Sequence, residues 1–244
     1  MLMAVLYGVA ASSALVIGAA IGARWTPPRQ LLRVLLAFAS GALISALAFE
    51  LFDDSFEMGG PWRAGLGLLA GAATFILIDW VLERRVESTK DKKSAGRGGK
   101  SAARGGVGLA LLAAVTLDGV PENLALGVTL VGGASLSLLV AIFFSNLPEA
   151  LAGSVDMRKG GMSAGAVLLT WSVAAVLLAG AVVAGRMFAG GLQPETVALA
   201  LAFAGGAVLA SVADTLMPEA FEHGQPLNAF ATVAGFFLSY VLSV

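Results

Sequence analysis

The sequence predicts an all-α membrane protein: an eight-helix polytopic bundle with inverted repeats, spans one to three and six to eight, around central spans four and five. Three observations lead there. Of the 244 residues, 58% are hydrophobic and only 13% charged, with mean hydropathy +0.87, whereas soluble domains are roughly a quarter charged. Apolar stretches long enough to cross a bilayer recur along the whole chain. A motif near residue 39 returns near residue 204.

A crossing helix needs roughly 20 mostly apolar residues. Segments 3–23, 31–52, 62–82, 107–130, 135–154, 162–185, 195–217 and 228–243 qualify, which makes 1–244 a single transmembrane domain. The opening MLMAVLYGVA has no basic residues before its apolar run, so it reads as a retained helix rather than a cleaved signal. Segment 83–106 is rich in charge, Gly, Ser and Lys and lacks apolar periodicity, so it reads as a flexible exposed loop. With 31 glycines and many alanines, the helices are suited to close packing. There are no cysteines, which excludes disulfides and thiolate sites, and the net charge of -1 gives no reason to expect a nucleic-acid partner.

Basic residues set the orientation. With the N-terminus outside, 13 of the 15 Lys and Arg fall in cytoplasmic loops: Arg24, Arg29 and Arg33; eight within 84–104; then Arg158 and Lys159. Only Arg63 and Arg186 fall outside. Both termini are therefore expected to be external, in the cell (plasma or inner) membrane. Trp25, Trp62 and Trp80 sit at span ends, where interfacial tryptophans belong.

ASGALISALAFELFDDSFEMG (39–59) aligns with AGGAVLASVADTLMPEAFEHG (204–224) at an offset of 165, with eight of 21 positions identical. Shared Gly/Ala bias is the plain alternative, but the common F-E-x-G ending is not a bias effect. By the orientation above the two copies run in opposite directions, as in transporters built from inverted repeats. Asp53, Asp54 and Glu57 would then face outside, as a solvated loop or an acidic entry. Glu219, Glu222 and His223, the only histidine, would face the cytoplasm, either as solvated helix-end residues or as an accessory exit site. Asp214 could line the path or bond a neighbouring helix. Asp79 and Glu83 read as ion pairs with Arg84 and Arg85 at the end of span three.

Chemistry is expected in spans four and five, which carry D-G-V-P-E at 118–122 and S-N-L-P-E at 145–149. Carboxylates deep in a bilayer are costly, rare and usually functional. Asp118 and Glu122, four apart, share one helix face, as do Asn146 and Glu149, three apart. Pro121 and Pro148 lack an N–H, so the carbonyls of Leu117 and Phe144 lose their helical partners. Three carboxylates with no Lys or Arg in either span repel one another, and a divalent cation would relieve that repulsion. Asp118, Glu122, Asn146 and Glu149 are the candidate metal ligands, with Asp214, Glu219, Glu222 and His223 as accessories. The plain alternative is two proline-kinked helices joined by protonated carboxyl groups.

At these residues the chain resembles the ZIP family of divalent metal-ion transporters, as a divergent member. The resemblance covers nearly the whole chain. It implies eight spans, external termini and a variable cytoplasmic loop between spans three and four. It also implies a P-E motif in each of spans four and five: H-N-x-P-E-G in the fourth, and Q-D/N-x-P-E-G or H-E-x-P-H-E in the fifth. Glu122 and Glu149 match the family's metal-binding glutamates, Asp118 stands at its histidine, and Asn146 at a second-position ligand. The end of span seven, DTLMPEAFEH, also looks like the family's acidic P-E-containing end. Departures are Gly119 for asparagine, Ser145 for Gln or His, and Asn123 and Ala150 for the glycines after each P-E. Span six has no carboxylate for a bridging second metal, so a single all-oxygen site is the economical reading. Oxygen ligands suit Mn, Mg or Ca and tolerate Zn and Fe, whereas the resemblance implies zinc first, with Mn, Fe or Cd also in range.

The function expected is therefore uptake of a divalent metal, zinc by resemblance, with no enzymatic activity and no resident cofactor. The partners are the metal ion and the lipid bilayer, and a homodimer is compatible with such a bundle. A transport-inactive relative acting as a scaffold or sensor is one competing class. An intramembrane metal-dependent hydrolase is another, disfavoured because the single histidine lies outside the core.

Overall fold

The computed structural model describes residues 1–94, 100–222 and 226–244, with the backbone alone described for 83, 85–94 and 100–114. Among these residues all regular structure is helical. The elements are α1 (Leu2–Gly22), α2 (Arg29–Ala46), α3 (Asp53–Ser94), α4 (Lys100–Thr129), α5 (Leu136–Lys159), α6 (Ala164–Ala189), α7 (Pro194–Ser211), α8 (Met217–Phe221) and α9 (Pro226–Ser243). Wider π-helical turns join α2 to α3 (Leu47–Phe52) and α7 to α8 (Val212–Leu216). Six helical stretches are long and apolar enough to cross a membrane: Leu2–Gly22, Arg29–Leu82, Leu136–Lys159, Ala164–Ala189, Pro194–Phe221 and Pro226–Ser243.

Local chemistry explains the boundaries. α1 ends before Thr26-Pro27-Pro28, where two prolines remove the donors a further turn would need. Ser135 and Ser163 cap α5 and α6, accepting from the Leu138 and Ala166 amides at 3.0 and 3.2 Å. Pro194 occupies the first turn of α7, where a missing N–H costs nothing. Segment 53–59, expected as an exposed connection, is instead helical. The chain breaks only at Gly60, whose φ of 72° a side chain would strain, followed by Pro61. Asp53, Asp54 and Glu57 are nevertheless exposed, in keeping with solvation. The stretch expected as a loop, 83–106, is helical up to Ser94 and again from Lys100; residues 95–99 lie outside the described residues.

Packing relies on small residues. α3 lies along α7, α2 along α9, α1 along both α5 and α6, and α4 along α6. In the α2–α9 contact, Gly41 meets the Thr232 carbonyl and Gly235 the Phe38 carbonyl. In the α3–α7 contact, Gly206 meets the Leu68 carbonyl and Gly71 the Phe203 carbonyl. With no side chain, glycine lets two helix backbones approach closely, and dispersion contacts multiply along the seam. Outward faces stay apolar: Phe230, Val233 and Phe237 of α9 are 74%, 67% and 65% exposed, as suits a helix bordering lipid.

One polar clamp fixes the end of α8. Buried Asn228 donates to the Ala220 carbonyl at 2.6 Å and accepts from Gln30 Nε2 at 3.0 Å, tying α2, α8 and α9 together.

Filling the glycine contacts should be costly. Gly41→Ala and Gly206→Ala are each expected to destabilise the bundle by roughly 1–3 kcal/mol through overpacking. Gly65→Ala, with open space around the added methyl, should be nearly neutral. Unfolding midpoints in detergent measure all three, and equal effects at the three sites would refute this account of the seams.

Candidate functional site

α4 and α5 lie side by side in the bundle, each with an internal proline. The four expected ligands, Asp118, Glu122, Asn146 and Glu149, line one cavity of ≈ 210 Å³. Glu122 and Asn146 are buried, at 2% and 1% exposure, while Asp118 and Glu149 are partly buried. The tertiary structure thus brings together on two helices what the sequence places 24 to 31 residues apart.

Two serines hold the carboxylates of α4. Ser211, the last residue of α7, donates to Asp118 Oδ1 at 2.8 Å. Ser145 lies 3.3 Å from Glu122 Oε2 and 3.0 Å from the Ile142 carbonyl, so its single hydroxyl proton serves one or the other. Asn123, beside Glu122, turns away from the cavity and donates to the Gly119 carbonyl of its own helix at 2.8 Å. Asn123 thus braces its own helix instead of lining the chamber. Across the cavity stands Trp171 of α6, 2% exposed, whose ring rests where a side chain at Gly153 would be.

Carboxylates continue beyond this chamber. Asp156 and Glu219 line it at one end and also line a second chamber of ≈ 250 Å³ bordered by Arg29, Arg33, Lys159 and Glu222. Glu222 accepts from Arg33 at 2.9 Å and Lys159 pairs with Asp156 at 3.2 Å. Leu36 and Ala152 belong to both walls, so the chambers adjoin. In the opposite direction lie fully buried leucines and isoleucine, Leu43, Leu51, Leu126, Leu138 and Ile142. At that end the buried Ser137 at the start of α5 pairs with Ser239 of α9 at 3.1 Å.

The accessory residues fare differently. Glu219 borders both chambers and Glu222 the second, Asp214 is exposed but within electrostatic range of Asp118 and Asp79, and His223 lies outside the described residues. The expected pairing of Asp79 with Arg84 does not form: the Arg84 guanidinium stacks 3.7 Å over the Trp80 ring. A cation over an indole face needs no carboxylate partner. Glu83 and Arg85 have no described side chains. Among the described residues, no three Asp, Glu or His side chains converge closely enough to hold a metal ion as placed. The carboxylates ring the chamber rather than meeting at a point.

Sequence reasoning missed Asp156, Thr215 and Trp171 as cavity residues, and Ser211 as the partner of Asp118. Asp156 was within reach, since it stands seven residues after Glu149 on the same helix face. Ser211 sits in a run of small residues and Trp171 in an apolar span, and neither carries a local signal.

No protein-family model matches the chain, and no curated protein is significantly similar to it.

The Ser211 contact generates a test. Ser211→Ala should lower stability by about 1–3 kcal/mol, because Asp118 loses a charge-assisted bond. Ser211→Thr, which keeps the hydroxyl, should restore most of it. Detergent unfolding curves for the pair decide this; equal losses would point to packing instead.

Proposed function

We propose that this protein is a divalent metal-ion transporter of the ZIP type, moving its cargo inward through the chamber between α4 and α5. The observation that carries this reading is the convergence of Asp118, Glu122, Asn146 and Glu149, from two proline-bearing helices, on one buried chamber. Oxygen donors, a partly enclosed volume and an acid-lined way out are what a transported cation requires. Zinc is the first cargo by family resemblance, with Mn, Fe and Cd next.

The eight-span arrangement has support in chain length. Arg29–Leu82 covers 54 residues, roughly 80 Å of helix at 1.5 Å per residue, against a hydrocarbon core of about 30 Å. Its break at Gly60 divides it into two crossings. Together with α4, these make eight. The inverted repeat is supported by two coincidences. The π-helical turns begin at Leu47 and Val212, 165 positions apart, the same offset as the sequence match. The glycine seams also correspond: Phe38 and Gly41 of α2 stand 165 positions before Phe203 and Gly206 of α7.

In this reading the cation path opens toward the side of Arg29, Arg33 and Lys159, the cytoplasmic side by charge bias. The buried leucines close the outer side. Transport requires these barriers to alternate, and π-helical turns, common at functional sites, offer places for span two and span seven to adjust. Glu122 and Glu149 bind the ion, Asp118 and Asn146 complete the oxygen set, and Glu149, Asp156 and Glu219 lead it out. No nucleotide-binding motif is present in the sequence, so the driving force assigned here is the ion gradient or a coupled proton.

Proteoliposome uptake of Zn, Mn, Fe and Cd tests the reading. Wild type should accumulate at least one of these, and Glu122→Ala or Glu149→Ala should reduce uptake at least tenfold, the cost of about 1.4 kcal/mol or more at the ion. Full uptake in both variants would remove the chamber from the path. A wild type inert to all four metals would leave the scaffold or sensor class in place.

A further inference from the structure

The chamber is larger than a bare cation needs. Its volume is ≈ 210 Å³, and a water molecule occupies about 30 Å³ in the liquid, so an ion and several waters fit together. The wall also contains more than acceptors. Trp171 and Asn146 line the chamber at 2% and 1% exposure, and neither Trp171 Nε1 nor Asn146 Nδ2 has a hydrogen-bond partner among the described residues. Buried N–H groups are almost always paired. An indole N–H is a donor only, so no rotation converts it into a metal ligand. A metal cation, in turn, has no lone pair to offer it. The Asp118 and Glu122 carboxylates are engaged with Ser211 and Ser145.

We propose that the site takes its divalent cation with part of its hydration water, and that Trp171 and Asn146 anchor that water. Waters bound directly to the metal donate to those carboxylate oxygens of Asp118, Glu122 and Glu149 that do not themselves bind the ion. Outer waters accept from the Trp171 indole and the Asn146 amide, which leaves the Asn146 oxygen free for the ion. Trp171 is thus a positioning residue acting through solvent, given room by the absent side chain at Gly153. The chemical class favoured is a hard ion that gives up water reluctantly and accepts oxygen ligands. This inference rests on reading the chamber as a cation site.

Manganese(II) alone is the probe, because bound Mn(II) reports its own exchangeable water through water-proton relaxation. Titrated into the detergent-solubilised full chain, it should show enhancement requiring at least one inner-sphere water. Trp171→Phe, which keeps an aromatic ring and removes the N–H, should weaken Mn(II) binding about five- to tenfold, the loss of one net hydrogen bond. A variant with Trp25, Trp62 and Trp80 replaced by Phe leaves Trp171 as the sole tryptophan and does not depend on Trp171→Phe folding. Its emission should be quenched saturably by Mn(II) over the same concentration range. Bound Mn(II) without exchangeable water, unchanged affinity in a folded Trp171→Phe, or Trp171 emission indifferent to bound Mn(II) would each overturn the proposal while leaving the cation site standing. Zn(II) binding by the wild type without Mn(II) binding would overturn this inference alone; binding of neither, or binding unaffected by Glu122→Gln, would overturn the cation-site reading and this inference with it.

Discussion

The organising constraint is the presence of carboxylates inside an apolar bundle. Glu122 is 2% exposed among helices whose faces are otherwise built from alanine, glycine and leucine. A charge removed from water costs several kcal/mol unless it is given polar company. Here that company comes from three directions: Ser211 at the end of α7, Ser145 on α5, and the chamber itself. Each partner must sit within hydrogen-bond reach, so α4, α5 and α7 cannot shift much relative to one another without leaving a carboxylate stranded.

Close packing makes that arrangement affordable in geometry. Lipid supplies little hydrophobic drive for helix association, so shape and backbone approach must do the work. The seams of α2 with α9 and of α3 with α7 each place glycine against a facing carbonyl, holding the outer helices while the middle of the bundle stays polar. The π-helical turns fall where α2 and α7 leave these seams. A widened turn rotates the helix that follows it, and within the second such turn Thr215 lines the chamber, while Ser211 just before it bonds Asp118 in the chamber wall.

Much of this was legible beforehand. Apolar runs located the middles of the helices because length and composition alone decide whether a segment can cross a bilayer; 3–23 nearly coincides with Leu2–Gly22, whereas 62–82 falls well inside Asp53–Ser94. The D-G-V-P-E and S-N-L-P-E motifs located the chamber because a carboxylate beside a proline has no cheap structural role at that depth. Segment 53–59 failed for an equally local reason: its charges look like a loop, yet charged residues extend a helix readily once a membrane span has nucleated it.

By itself, then, the sequence determined the membrane class, the helical elements and which polar residues had to find one another, since these follow from transfer free energies and from periodicity along one chain. Tertiary structure alone decided who their partners are. Ser211 reaches Asp118 across 93 positions and Trp171 closes the chamber from α6, contacts set by helix crossing and rotation, for which a serine among alanines or a tryptophan among leucines leaves no trace in the local pattern.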